Sequence, residues 1–295
     1  MRSKLHRGDN LFSAVFVSPA FVFYTVFVIY AIGLSFFYTM TKWKGVGTPS
    51  FVWFRNYVNL VRDPEYWQVA GNSFTLVLLA LFIQNPVALV LAYLTSRIKF
   101  GFKPIRSIIF LPCVISAATT GLMFQLLFNA DIGIFNGILK AIGLGFFQRV
   151  WLSDSKVVLF AVALPQVWQY LGIQFIIFLA AIQSIPQEII ESARMDGATG
   201  GNLILRIIVP LLWEVIAICI ILTVTGSLKA FDMSWIMTWG GPGLSSAYIS
   251  VLMYRHAFKG FNFSYGTTIA MTILLWSVLF IVVFRSIFRK RGVVY

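Results

Sequence analysis

The chain has 295 residues, of which 59% are hydrophobic and 11% charged, with a mean hydropathy of +0.85. A soluble domain carries roughly 25% charged residues, so this composition excludes an ordinary soluble fold. The net charge of +13 would suit a nucleic-acid binder, but 13 of the 23 Lys and Arg residues fall in the tails and in two segments between apolar runs. Positive charge in such places marks the cytoplasmic side of a membrane, so the expected partner is lipid and no nucleic acid.

A spanning helix needs roughly 20 apolar residues. Six runs qualify, at about 11–38, 69–95, 107–128, 157–183, 209–231 and 264–285. The expected fold class is an all-α integral membrane protein with six transmembrane helices. An even number puts both termini on one side. The basic residues choose that side: Arg2, Lys4 and Arg7 at the start, Arg97, Lys99, Lys103 and Arg106 between the second and third runs, and Arg285, Arg289, Lys290 and Arg291 at the end. Both termini and the 184–208 segment are expected in the cytoplasm. The first run follows a basic start, yet it extends over about 28 residues with no clear small-x-small site, so it reads as a retained span. The expected division is a tail, first helix and outer loop over 1–68, a five-helix core over 69–285, and a basic cytoplasmic tail over 286–295.

Aromatic residues crowd the outer loops: Trp43, Phe51, Trp53, Phe54 and Tyr57 in the first, Trp151 in the second, Trp235, Trp239, Tyr248 and Tyr254 in the third. Anchoring at the headgroup level accounts for most of them. Pro19, Pro86, Pro112, Pro165 and Pro210 interrupt five runs, and each removes a backbone donor and bends its helix. Cys113 and Cys219 fall inside runs and read as small buried hydrophobes. With two cysteines and two scattered histidines, His6 and His256, no metal site is expected.

Ionisable residues are absent from the middle of the runs; Glu214, Lys229 and Asp232 lie near their ends. Self-powered secondary carriers usually place such groups deep in the membrane, so a carrier or channel is the weaker reading. Uncharged polar groups do occur there, and Gln125 in the third run is one. The fourth run holds Trp168, Gln169, Tyr170 and Gln174 near its middle. Tyr170 and Gln174 share a helix face. An aromatic ring beside amides suits a sugar, the ring against its C–H face and the amides on its hydroxyls. These five residues are the candidate solute pathway. No Gly-Lys dipeptide and no Gly-x-Gly-x-x-Gly occurs, so the chain has no phosphate-binding loop of its own. No enzymatic activity and no bound cofactor is expected.

Residues 184–210 set four charges (Glu188, Glu191, Arg194, Asp196) and three glycines between the fourth and fifth runs. Ser184 and Gln187 have capping-box spacing ahead of a helix that Pro186 can start. Ile189, Ala193, Ile190 and Met195 give that helix an apolar side. Asp196-Gly197 signals a tight turn, and Thr199 can cap a second helix running toward Pro210. The modest reading is an interfacial hairpin; the sharper one is a knob that fits a groove on a cytoplasmic subunit.

The pattern Glu191-Ser-Ala193-x-x-Asp196-Gly197-Ala198, then Ile207-x-x-Pro210-Leu211, resembles the EAA loop of ABC importer permeases. It departs at Ser192, where that family usually has Ala. Gln183-Ser-Ile-Pro-Gln-Glu, Phe231-Asp232, Thr238-x-Gly240-Gly241-Pro242-Gly243, Tyr254-x-x-Ala257-Phe258, Phe54-x-Asn56-Tyr57, Asp63-Pro64 and Phe110-Leu111-Pro112 resemble the sugar-uptake branch, the permeases like MalF of the maltose system.

The resemblance implies a transport subunit in a bacterial or archaeal cytoplasmic membrane, importing a sugar or oligosaccharide by alternating access. Glu191, Ala193, Asp196, Gly197, Ala198, Ile207 and Pro210 would form its coupling helix. Its implied partners are a second homologous permease (MalG-like), two cytoplasmic ATPase subunits that bind ATP and Mg, and an extracytoplasmic solute-binding protein. A glycerol-phosphate-like solute is the alternative cargo, and it would want a cation in the pathway; Lys229 and Arg255 lie rather near the outer surface for that.

Overall fold

A computed structural model describes residues 15–98 and 100–288. His6, the basic residues at 2, 4, 7, 99 and 289–291, and the rest of the tail beyond 288 lie outside these residues. The chain divides into two compact units, Met1–Arg62 with Met253–Met271 and Asp63–Leu252 with Thr272–Tyr295. Helices dominate both.

The first unit contains α1 (Val15–Thr39), a two-residue antiparallel ladder of β1 (Thr41–Lys42) and β2 (Ser50–Phe51), and α2 (Arg55–Val61). Of the aromatic residues in the first outer loop, Phe51, Trp53 and Phe54 are exposed, and Trp43 is packed. Trp43 stacks on Tyr38 with ring centroids 4.8 Å apart, and its indole N–H donates to the Gly47 carbonyl at 3.0 Å. The Asn56 amide donates to the carbonyls of Thr39 and Thr41, both at 2.8 Å. That pins α2 to the end of α1, where helix carbonyls lack partners.

The second unit opens with α3 (Pro64–Ser96), a 33-residue helix. The Asp63 carboxylate accepts the Glu65 N–H at 2.9 Å and Pro64 occupies the first turn, which is why the helix starts there. The bent pair α4 (Phe102–Val114) and α5 (Ala117–Leu127) follows, then the short α6 (Ile134–Ala141) and the 26-residue α7 (Val158–Gln183). After it come α8 (Gln187–Met195), α9 (Gly200–Leu211), α10 (Trp213–Leu228), α11 (Asp232–Thr238) and α12 (Ile249–Tyr254). The last helix, α13 (Phe263–Phe288), continues from the first unit into the second.

Among the described residues, five stretches are long and apolar enough to cross a membrane: α1, α3, α7, α10 with α11 (Trp213–Thr238), and α13 from Phe263 to Ser286. The third expected run is not one straight helix. α4 and α5 meet at 93°, with Ile115 and Ser116 extended between them. Pro112 lies two residues before that break, where the chain already lacks one donor. Ser116 then caps α5 through Thr119.

Pro86 and Pro210 behave differently. Each follows a π-helical turn, Ala80–Gln84 and Ile204–Ile208 respectively. The wider turn absorbs the missing donor without a sharp break. Pro165 sits inside the uninterrupted α7.

Two buried clusters flank α7. At its Gln183 end, Phe178, Leu179 and Ile182 pack with Ala88, Ala92, Ala193, Leu203, Ile208 and Cys219. At its Val158 end, Val158, Val162 and Val167 pack with Leu76, Phe128, Met233 and Tyr248. Cys219 is buried, as expected; Cys113 is half-buried.

Candidate functional site

The 184–210 segment forms two short helices joined by a turn. Gly197 has φ +83, a conformation glycine takes without steric cost. The Gly197 N–H donates to the Arg194 carbonyl at 3.0 Å, and the Ala198 N–H reaches back to Ala193 at 2.9 Å. This pair of bonds closes α8 in the motif that commonly ends helices with a left-handed glycine.

The start of α8 differs from expectation. Pro186 is its N-cap, with no side-chain cap bond. Ser184 instead belongs to the end of α7, where its hydroxyl donates to the Ala181 carbonyl at 2.8 Å. A capping box needs Ser184 at the N-cap; the extended Pro186 takes that place. Thr199 does occupy the N-cap of α9, without a side-chain bond. Met195 is 88% exposed, so it is not on the apolar side with Ala193 and Ile190.

Ala193 is buried, in the same cluster as Phe178 and Ile182 of α7. Its small side chain lets α8 lie close against the membrane helices. Glu188, Glu191, Asp196 and Pro210 are exposed, and Ala198 and Ile207 are half-buried. Glu188, Ile189, Ser192, Asp196, Ala198 and Ile207 line a groove of about 440 Å³. An acidic rim over a small apolar floor can receive a protuberance bearing cations.

A second cavity, of about 350 Å³, lies beside α7, within the ~300–1,000 Å³ range of small-molecule sites. Gln166, Tyr170, Ile173 and Gln174 line it; their i, i+4, i+7, i+8 spacing makes one stripe of the helix. Gln84 of α3, Thr223, Ser227 and Lys229 from α10 and its C-terminal end, and Asp232 at the start of α11 complete the polar lining. Gln174 Nε2 donates to Thr223 Oγ1 at 2.9 Å, and Thr223 donates on to Asn85 Oδ1 at 3.0 Å. Three helices are thereby tied by one buried polar chain. Gln174 Oε1 is buried without a partner. The cavity therefore combines a phenol ring, several amides, one lysine and one aspartate on an apolar frame.

The other pathway candidates are elsewhere, and for each the reason is visible. Trp168 is off the stripe and packs on Phe124 at 5.5 Å. Gln169 Nε2 donates to the Ile115 carbonyl at 2.7 Å, and Cys113 Sγ donates to the Gln169 carbonyl at 2.8 Å. Its amide thus satisfies the carbonyl freed at the α4–α5 bend, as broken membrane helices require. Gln125 Nε2 reaches the Met237 carbonyl at 3.3 Å, holding α5 to α11. The cavity members Gln166, Gln84 and Thr223 were readable only as polar groups in apolar runs. Stepping by four from Tyr170 finds Gln166; nothing in sequence brings Gln84 or Thr223 to α7.

Residues 84–290 match the family described as binding-protein-dependent transport system inner membrane component. The chain belongs to this family. It is a multi-pass permease component of the ABC-transporter type. A probable ABC transporter permease from Pyrococcus horikoshii is 32% identical over 93% of this chain and 94% of its own length. The lactose transport system permease LacF of Rhizobium radiobacter is 31% identical over 93% of each chain. Among solved structures, a bacterial alginate ABC transporter in complex with a pentasaccharide-bound periplasmic protein has a chain of the same fold. Its TM-score is 0.81, at 22% identity over 99% of both chains. The match from residue 84 takes in most of the polar cavity lining and the whole 184–210 segment.

Proposed function

We propose that this permease is the membrane subunit of an ATP-driven importer of a sugar or oligosaccharide. Six spans cross a bacterial or archaeal cytoplasmic membrane, with both termini and the 184–210 segment inside. The α4–α5 pair serves as one broken span. Two cytoplasmic ATPase subunits bind ATP and Mg, and α8 sits in a cleft of one of them. A second, homologous permease completes the pathway, and an extracytoplasmic solute-binding protein delivers the cargo. Closure of the ATPases moves α8, and access to the cavity alternates between the two faces.

The observation carrying this reading is the 184–210 segment itself: a turn closed by Gly197, acids exposed on one side, and Ala193 buried against α7 on the other. A connector between spans needs none of these. The Tyr170 ring and the amides of Gln166 and Gln174 support a polyhydroxylated cargo. So do the relatives whose names include lactose and alginate. Lys229 does line the cavity, which speaks for an anionic solute such as a glycerol phosphate. Asp232 lines it as well, so the local charge is balanced and a neutral cargo is the better fit.

The test is to purify the chain with the subunits that accompany it, in gentle detergent, and to screen solutes for stimulation of ATP hydrolysis. Neutral saccharides should stimulate and glycerol phosphates should not. Recovery of the chain without any nucleotide hydrolase, together with unaided solute uptake by the isolated chain in vesicles, would overturn the reading.

A further inference from the structure

Residues 128–157 join α5 to α7 outside both helices and carry a large apolar surface. Ile134, Ile138 and Ile142 are 62%, 52% and 61% exposed, and Phe146 just beyond is 71% exposed. Contiguous apolar surface of this kind calls for an occupant.

The orientation of α6 is fixed from within. Phe135 packs on Phe128 and on Trp151, both at 5.1 Å between ring centroids. Asn136 clamps the returning chain: its amide donates to the Arg149 carbonyl at 3.0 Å and its Oδ1 accepts the Trp151 indole N–H at 2.8 Å. Gln148 Nε2 donates to the Asn136 carbonyl at 2.8 Å. Gly143, at φ +81, ends the helix. The isoleucines at i, i+4 and i+8 share one exposed face, whose edge Phe135 closes against Phe128 and Trp151, and Asn136 and Lys140 each stand about 160° round the helix from Ile138.

We infer that α6 lies in the plane of the membrane, its isoleucine row buried in the lipid interface at the Val158 end of α7. Three observations select lipid. The segment begins directly after α5 and ends directly before α7, both apolar helices, so α6 starts a few residues from the membrane boundary. The exposed row is aliphatic with flanking phenylalanine, while the aromatic anchor expected of a protein hot spot, Trp151, is spent internally. The cations Lys140, Arg149 and Lys156 outnumber the acids Asp131 and Asp154 in the same stretch, which suits anionic headgroups. An in-plane helix of this composition sinks its apolar face about 5–10 Å into the headgroup boundary.

The complete chain, with the subunits that co-purify with it, should be reconstituted into vesicles of phosphatidylcholine and phosphatidylglycerol. Nitroxide labels are placed at Ile138→Cys, Ile142→Cys and Lys140→Cys in a Cys113→Ser, Cys219→Ser background. Labels at 138 and 142 should be open to oxygen and shielded from a water-soluble nickel chelate; the label at 140 should show the opposite. Equal nickel access at 138 and 140 overturns the inference, because the row then faces water. Shielding of 138 from both probes overturns it in favour of a protein partner. A photo-reactive diazirine residue at 138 in the otherwise unaltered chain supplies a second reading: coupling to phospholipid supports the inference, and coupling to a protein refutes it.

Discussion

Replacing Gly197 in a graded series separates backbone geometry from bulk at the turn of the 184–210 segment. A Cβ at this position meets nothing within 4 Å, so sterics contribute little. What remains is the left-handed backbone at φ +83, which costs an ordinary L-residue roughly 1–2 kcal/mol and Asn less. Gly197→Asn should transport almost as well as the parent. Gly197→Ala should shift the local folding equilibrium of the segment by about 5- to 30-fold and lower transport in proportion. Gly197→Pro is of another order. Its ring fixes φ near −65°, and it removes the N–H that donates to Arg194 at 3.0 Å. The bond from Ala198 to Ala193 then goes as well, each being worth about 0.5–1.5 kcal/mol. A nine-residue helix without its cap is marginal in water. The assay is substrate-stimulated ATP hydrolysis by the reconstituted complex, with membrane insertion followed separately. Proline should abolish stimulation while leaving insertion intact. Stimulation that survives proline, or alanine equal to or better than asparagine, would refute the reasoning.

Tyr170→Ala should alter which solutes stimulate hydrolysis, while Trp168→Ala should not, because Trp168 packs on Phe124 and not on the cavity; a solute screen on both variants checks this. Thr223→Val leaves Gln174 Nε2 and Asn85 Oδ1 without their partner. Interhelical bonds of this kind average roughly 0.6 kcal/mol in membranes and reach about 1.7, so thermal unfolding in detergent should occur a few degrees lower. Gly172→Ala sets a methyl 2.9 Å from the Ile109 carbonyl oxygen and 3.1 Å from Phe110 Cα. Overpacking of this kind costs about 1–3 kcal/mol, whereas Gly71→Ala, with nothing within 4 Å, should gain up to about 1 kcal/mol from helix propensity. Opposite shifts in unfolding temperature are expected, and equal shifts would show that the contact between α4 and α7 yields freely.

The apolar runs exposed nearly all of the helical layout, because burial in lipid demands long uninterrupted helices. The turn at Asp196-Gly197 was equally legible, since only a few residues tolerate a left-handed backbone. What escaped was decided by packing. Pro112 and Pro86 look alike in sequence, yet one precedes a 93° bend and the other follows a π turn. The difference lies in whether a neighbouring helix can satisfy the freed carbonyl, and Gln169 does so at Ile115. A glutamine in an apolar run carries no mark of that partner. The cavity was half legible for the same reason: periodicity along α7 relates Gln166 to Tyr170, but only the fold brings Thr223 across to Gln174.

Within α7, Gln174, Phe178 and Ile182 fall at successive i+4 steps and form one buried stripe. Its lower end shares a cluster with Ala193, Leu203 and Ile208 of the 184–210 segment; its upper end lines the cavity. At 1.5 Å per residue, the two ends are about 12 Å apart. Close-packed side chains transmit displacement and do not absorb it, so a shift of α8 reaches Gln174 with little loss. Under the proposed function the slack lies elsewhere, and two of the four π turns among the described residues are placed to supply it. One, at Ala80–Gln84, borders the cavity; the other, at Ile204–Ile208, precedes Pro210. Under the proposed function α7 acts as the stiff member, and the register of these two turns changes as the cavity opens. Substitutions that regularise either turn would then be expected to impair transport without touching the solute.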